Sequence, residues 1–369
     1  MADTFSFAVN AASPSSPFRN HIVIREKAQN RSDAGYAHLE FNPSSRLELA
    51  AGIRYTKDVR EVNPNRVLLN SEPTASTNAL FRNGTLQSVG CLFTTPVNGV
   101  LRPAGGFVLL GGNAVASGAC PDITLRKTFD FISYEVSARY RFTDQITGYV
   151  RHGLGQKSGG INVPITSTIT APFDPEKVRD YEAGVKGSRV FDMLNFSIAA
   201  YYSDYLGLQR YVSSLLPGGG GIGSSVINAG SARIWGVEGE GDLRLSNAFS
   251  INGFFGYTNA KYRRFTTIDP AGLVIDLSTQ PFIGAPKWTS RIGATYSVPM
   301  AGGNLRFSGG WNHQGNSSLQ AISFPGAESG KVDLVDARVS WLSDDSHPEL
   351  AVYATNLLND KYFTSASVN

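Results

Sequence analysis

The feature that most constrains this chain is a period of two held over stretches longer than ordinary strands. In FSINGFFGYTNAKY, Phe249, Ile251, Gly253, Phe255 and Tyr257 fall on one side of an extended strand. Ser250, Asn252, Phe254, Gly256 and Thr258 fall on the other, because strand side chains alternate. One face is oily and the other small and polar. The pattern recurs: Leu47, Leu49, Ala51, Ile53 and Tyr55 against Arg46, Glu48, Ala50, Gly52 and Arg54, and Ile132, Tyr134, Val136, Ala138 and Tyr140 against Ser133, Glu135, Ser137, Arg139 and Arg141. It returns from Leu194 to Ser203, from Trp235 to Leu245 and from Trp288 to Val298. Each segment runs about ten residues or more, against a mean of roughly 5–6 in soluble proteins.

The connections carry the second signal. Short links at Asn42 to Ser45, Thr143 to Gln145, Gly187 to Met193, Ser246 to Ala248, Pro299 to Asn304 and Ser343 to Glu349 predict hairpins. Between them lie long stretches rich in Gly, Pro, Ser, Thr and Asn, roughly Asp58 to Thr128, Leu154 to Glu176, Gly207 to Ser231, Arg263 to Pro286 and Gln314 to Gly330. Every second connection is long, as in outer-membrane barrels with short periplasmic turns and long extracellular loops. The fold class predicted is all-β: an antiparallel transmembrane β-barrel sheet of about twelve long strands, with a thirteenth near His21 to Lys27. The oily face then meets lipid and the charged face a wet lumen. A charge at mid-membrane on the lipid face costs about 2–4 kcal/mol. Trp235, Tyr257, Trp288, Trp311 and Trp341 suit interfacial girdles. A soluble, long-stranded β protein is the competing fold.

Composition agrees and narrows the function. Charged residues make up 17% of the 369, below the roughly 25% usual for soluble domains. A net charge of +3 without a basic stripe gives no reason to expect nucleic acid as a partner. No run approaches the length of a transmembrane helix, and MADTFSFAVNAASPSSPF lacks the regions of a signal peptide.

Four elements in order resemble TonB-dependent outer-membrane receptors. RLELAAGIRYTKDVRE (Arg46 to Glu61) is similar to their strand ending in G-x-R-Y-T. DPEKVRDYEAGVKGSRVFDMLNFSIAAYYSDY (Asp174 to Tyr205) resembles the P-E-x-x-x-x-Y-E-x-G-x-K hairpin. NAGSARIWGVEGEGDLRLSNAFSINGFFGYTNAKY (Asn228 to Tyr262) resembles the hairpin in which N-A-G precedes G-x-E-x-E, and ATNLLNDKYF (Ala354 to Phe363) the element before the last strand. The resemblance implies a partial barrel domain over residues 34–369 of a 22-stranded barrel, after a lead-in segment at 1–33. The family's signal peptide, TonB box, plug and aromatic-ended last strand are not visible, so the expectation is a fragment shortened at both ends; closure as a smaller barrel is the alternative.

By the same resemblance the function is active import of a ferric siderophore or similar scarce solute, energised by TonB through a plug, in the bacterial outer membrane. The partners are membrane lipid, TonB and the small-molecule substrate; no cofactor and no enzymatic activity are implied. A passive porin-like channel is the alternative. Family substrates bind to outward loops, upper wall and plug apex. The residues nearest the long loops thus become ligand candidates: Tyr149, Arg151, Gln156, Lys157, Arg210, Tyr211, Asn312 and Gln314. Arg and Lys would attract an anionic chelate and Tyr would stack on a planar ligand.

Cys91 and Cys120 share the first long loop, and an oxidising exterior favours their disulfide, worth about 3–4 kcal/mol in the chain-entropy model; two free thiols are the alternative. The histidines, at 21, 38, 152, 313 and 347, are scattered, so no metal site is expected. PGGGGIG, Pro217 to Gly223, opens no helix and reads as a loop.

Overall fold

A computed structural model describes residues 4–8, 19–71, 88–91, 95–97, 100–102, 124–162, 172–215, 222–268, 274–320, 325–344 and 348–366. Among these there is no helix. Eleven long strands and a shorter twelfth pair antiparallel in chain order. They are β1 (Arg19–Ser44), β2 (Leu47–Ser71), β3 (Leu125–Arg141), β4 (Ile146–Lys157), β5 (Glu176–Val190) and β6 (Leu194–Leu215). The sheet continues with β7 (Ile222–Arg244), β8 (Phe249–Ile268), β9 (Trp288–Pro299), β10 (Gly303–Gln314), β11 (Val332–Ser343) and β12 (Glu349–Ala354). Among the described residues β1 and β12 do not pair with each other, so the sheet stays open.

All six tight connections fall at one end, where the turn chemistry is legible. Ser44 Oγ accepts from the amides of Arg46 and Leu47 at 3.3 and 3.1 Å. Thr143 Oγ1 does the same for Gln145 and Ile146, and Ser246 Oγ for Ala248 and Phe249. In each, a hydroxyl replaces a missing backbone acceptor. Between β9 and β10, Ala301 and Gly302 take φ of 52° and 69°, while Met300 and Gly303 exchange two backbone bonds. That is a two-residue hairpin of the primed kind, whose twist matches the strands.

At the opposite, loop end the strands run further than alternation alone predicts. The thirteenth strand expected near His21 to Lys27 is instead part of β1, which pairs with β2 from Arg19 opposite Ser71 to Phe41 opposite Leu49 and, after a register shift, Ser44 opposite Leu47. The added strand is Thr4–Ala8, which pairs with His21 to Arg25. β1 also passes unbroken through residues 33 and 34. Likewise β6 and β7 form a hairpin reaching Leu215 and Ile222, past bulges at Leu206 and Leu208. The ladder survives there because bulges and Gly207 (φ 64°) absorb the kink. Cys91 ends a short strand on β2; Cys120, and with it the expected disulfide, lies outside the described residues, as does Pro217.

The register puts the oily residues of neighbouring strands side by side. Leu49 faces Ala138, Ala138 faces Val150, Val150 faces Ala183 and Ala183 faces Ala200. Near the loop end this apolar face carries a ladder of rings. Tyr134, His152, Tyr181 and Tyr202 lie with centroids 5.6, 4.3 and 6.3 Å apart, and Trp235, Tyr257 and Trp288 follow at 5.4 and 4.7 Å. From Trp288 to Tyr296 is about 27 Å along the strand, which a tilt near 40° reduces to about 20 Å of height.

Two of the sequence motifs prove to be clamps. Asn228, of the N-A-G element, accepts from the Asp174 amide (2.7 Å) and donates to the carbonyls of Asp174 and Gly207 (both 2.8 Å). Glu176 accepts from the Gln209 amide at 2.6 Å, and the Gln209 side chain donates to the carbonyls of Ser158 and Asp174. Gly230 sits at φ 136° with the Arg264 carbonyl where a Cβ would be, a position only glycine fills comfortably. In NLLNDKY, Asn356 and Asp360 exchange hydrogen bonds at 3.0 and 2.9 Å, and the Asp360 carboxylate accepts from the Asp333 amide.

The buried apolar cluster lies at the loop end. Leu208, Ala229, Ala232, Tyr262, Phe265 and Leu277 pack together, with Tyr205, Ile227 and Phe282 against them. Phe265 and Ala232 are fully buried.

Candidate functional site

The polar face of the sheet has a mid-height belt built from alternate residues of β3 to β6. Register places Glu135 beside Gly153, Arg151 beside Glu182 and Tyr201 beside Glu182. Arg151 reaches three carboxylates: Glu135 at 3.1 Å, Asp180 at 3.0 Å and Glu182 at 3.0 Å. Tyr149 donates to the other oxygen of Glu182 at 2.6 Å, and Ser203 to Asp180 at 2.5 Å. Tyr201 and Thr258 extend the belt at 2.9 Å. The Tyr149 ring lies across Gly184, where a Cβ would meet it at 2.6 Å. Lys186 approaches the same ring at 5.4 Å. One guanidinium among three carboxylates leaves this patch acid-rich, and such half-exposed pairs contribute about 0.2–1 kcal/mol each.

Above the belt a trough of about 680 Å³ opens on the same face. Its floor holds Gly52, Gly153 and Gly155, and its sides Tyr36, His38, Arg54, Arg151, Asp180 and Tyr205. Higher still, the Arg210 guanidinium lies 4.5 Å from the Phe282 ring and 5.8 Å from Tyr262. Tyr262 and Phe282 stack at 4.6 Å. The Arg210 Nε and the Tyr262 hydroxyl are buried without a hydrogen-bond partner. Tyr262 and Phe282 also line a cavity of about 750 Å³ shared with Lys261, Lys287, Ser317 and Glu328.

The sequence-derived candidates do not form one cluster. Tyr149 and Arg151 share Glu182 in the belt. Lys157 stands at the loop end of β4, opposite Glu176. Gln156 alternates with the oily Val150 and Leu154, and its amide donates to the Ile132 carbonyl at 2.6 Å, so it belongs to the other face. Arg210 and Tyr211 sit on the raised β6–β7 hairpin, where Tyr211 is 69% exposed. Asn312 and Gln314 lie on β10, beside Arg291 and Thr289. Alternation alone does not find Asp180, Glu182, Tyr205, Tyr262 and Phe282. The first two were visible as the acidic partners in the R-D-Y-E run; Phe282 had no local signal because its ring meets Arg210 only after a loop folds back.

Comparison with known proteins fits this geometry. A family model described as TonB dependent receptor-like, beta-barrel, matches residues 3–357. The ferric yersiniabactin uptake receptor FyuA from Yersinia pestis superimposes with a TM-score of 0.67 at 17% identity, covering 94% of this chain and 44% of that one. The ferric-catecholate import receptor Fiu from E. coli, in its closed form, gives 0.60 at 14% identity, covering 94% and 47%. The copper transporter OprC gives 0.58 at 13%, covering 94% and 50%. The chain thus spans about half the length of the structures it matches. These likenesses establish the fold. The chain belongs to the TonB-dependent receptor β-barrel family.

Proposed function

We propose that this chain forms barrel wall and outward loops of an outer-membrane receptor that imports a ferric siderophore or similar scarce solute. TonB supplies the energy by acting on a plug inside the barrel. The observation that carries the reading is the division of one sheet into two unlike faces. One face is oily and edged with rings over about the height of a membrane; the other is charged up to an aromatic and cationic cluster beneath the loops. FyuA and Fiu, whose folds it shares, are a ferric yersiniabactin uptake receptor and a ferric-catecholate import receptor. In this chain Lys157, Arg210, Tyr211, Asn312 and Gln314 are the proposed upper ligand contacts, with Tyr149 and Arg151 below. The Cys91–Cys120 disulfide is proposed to tie the first long loop.

The test is radio-iron uptake by cells carrying or lacking the gene, supplied with catecholate or phenolate chelates under iron starvation. Gene-dependent uptake that collapses with an uncoupler is expected. Uptake that survives the uncoupler would indicate a passive channel, and no gene dependence would overturn the reading.

A further inference from the structure

On the apolar face, one row beyond the ring ladder toward the loops, the chemistry changes abruptly. Lys177 and Arg179 of β5, Arg233 of β7, and Lys261 and Arg263 of β8 all carry the alternation of the oily face, and all are exposed. Register puts Arg179 opposite Asp204, Asp204 opposite Arg233 and Arg233 opposite Lys261, in one line across four strands. Asp204 is the one acid described on this face of β5–β8 beyond the rings, and Arg263 engages it at 3.1 Å. Arg233 also lies 5.6 Å over the Tyr202 ring. Among the described residues, Lys177, Arg179 and Lys261 have no ion-pair partner. Five cations to one acid is far from the +3 balance of the whole chain.

A second observation lies just below. A groove of about 670 Å³ lies on the apolar face across β3–β6, so that it meets the cationic row at β5 and β6. Its floor is the row Ala138, Val150, Ala183 and Ala200, and its upper wall is His152, Tyr181 and Tyr202. The floor is low because three of its four side chains are methyl groups. Arg179, Arg233 and Lys261 stand in the row about 7 Å above the rings and about 14 Å above the floor, at two residues per row. An apolar channel, an aromatic shelf and a cationic rim in that vertical order match one molecule: a lipid with its acyl chain in the groove and a phosphate at the rim. Rings favour the headgroup level, and clustered Lys and Arg favour anionic headgroups.

We infer that the outward surface of β3–β8 is a specific site for a phosphate-bearing anionic lipid, with Arg179, Arg233 and Lys261 holding the phosphate. The site rests on the apolar face meeting lipid and on none of the proposed ligand contacts, and of its three cations only Lys261 also borders the Tyr262–Phe282 cavity, so lipid retention and transport can fail separately in Arg179→Gln and Arg233→Gln.

Native mass spectrometry of the full chain in detergent micelles tests this, with dioleoyl phosphatidic acid and dioleoyl phosphatidylcholine as probes. The unaltered chain should retain the anionic lipid preferentially. The triple variant Arg179→Gln, Arg233→Gln, Lys261→Gln should lose about a hundredfold of that retention, three cations acting near the surface. Ala183→Trp, which fills the groove, should weaken retention of both lipids while leaving the charge preference. Equal retention of the two lipids, an unaffected triple variant, or displacement of bound lipid by millimolar inorganic phosphate would overturn the site. Should the triple variant not fold, a chain with its cations intact and Trp288, Trp311 and Trp341 replaced by Phe leaves Trp235 as its single tryptophan and gives a second reading. Brominated phosphatidic acid should quench that residue at lower concentration than brominated phosphatidylcholine, and equal quenching would refute the site.

Discussion

Along β4, which crosses the wall from Ile146 to Lys157, Gly148 is the one buried residue. A few rows away, beneath the loops, Phe265 and Ala232 are fully hidden and Leu208, Ala229, Tyr262 and Leu277 nearly so. The wall has no packed core of its own: one face looks outward and the other into a polar space. Its order comes from backbone ladders and from sorting side chains between two solvents. The loop layer works like a small soluble domain, holding a cluster of rings and aliphatics shut with polar clamps. The first kind of order depends on every residue a little; the second depends on a few residues a great deal.

The sharpest way to break this contrast is therefore to empty the loop cluster. Phe265→Ala removes the largest fully buried side chain among the described residues and should cost about 3–5 kcal/mol of local stability. The loss should be confined: protease cleavage between Tyr262 and Phe282 should rise while the strand content by circular dichroism stays the same. If the whole sheet melted with the loop, wall and loop layer would be one cooperative unit.

The next test addresses the wall. Ile292 lies midway between Trp288 and Tyr296 on the apolar face and is 54% exposed. On the surface of a soluble protein, exposure of that order would make Ile292→Arg nearly neutral. At the middle of a bilayer it should cost about 2–4 kcal/mol, read as reduced refolding into lipid vesicles in urea titrations. Equal refolding would mean that this face does not meet lipid.

The same contrast explains what the sequence makes legible. The two faces of the wall, its six tight turns and the clustering of long connections at one end follow from alternation and turn residues, which are local. Where the strands extend is less legible: β6 and β7 continue past Gly207 because Asn228 and Gln209 clamp the bulge to Asp174 and Glu176, a non-local arrangement. Ala301 in a left-handed turn position has no sequence warning apart from the glycine that follows it. The candidate site fared in the same way. Tyr149 and Arg151 follow from alternation, but their carboxylate partners and the Arg210–Phe282–Tyr262 stack arise from strands and loops brought together by folding. Gln156 shows the limit of a one-residue step, since a shift by one changes the face.

Asn228 offers an intermediate effect that sharpens the boundary between the two regions. Asn228→Ala removes three hydrogen bonds joining β7 to Asp174 and Gly207, about 1 kcal/mol each when net of water. Part exposure lowers the sum, so about 1–3 kcal/mol is expected, appearing as faster amide exchange at residues 174–176 and 207–209. Asn228→Asp should recover the acceptor to the Asp174 amide and lose the two donations. An unchanged exchange pattern would show that the motif is not what holds the bulge.

The smallest expected effect lies at the tip of the loop layer, where the strand Val274–Asp276 folds onto β8. The Ser278 hydroxyl donates to Asp276 at 2.5 Å and its amide does so at 2.9 Å, and these bonds hold the carboxyl below the ordinary aspartate range. Ser278 Oγ in turn accepts from the Phe265 amide at 2.9 Å, so the carboxylate steadies the lid over the buried ring. A carboxyl whose pKa is lowered by folding stabilises the fold above its ordinary value of about 4 and loses that contribution as the pH falls through the lowered value. Pepsin, active across that range, can report on the segment from Leu277 to Phe282. Relative to the unaltered chain, Asp276→Asn should be cut faster near pH 5, above the ordinary aspartate range, and the two should converge on acidification. A difference that persisted in strong acid would mean that shape rather than charge holds the tip. A difference absent throughout would detach the lid from the carboxylate and leave Phe265 packing alone to close the cluster.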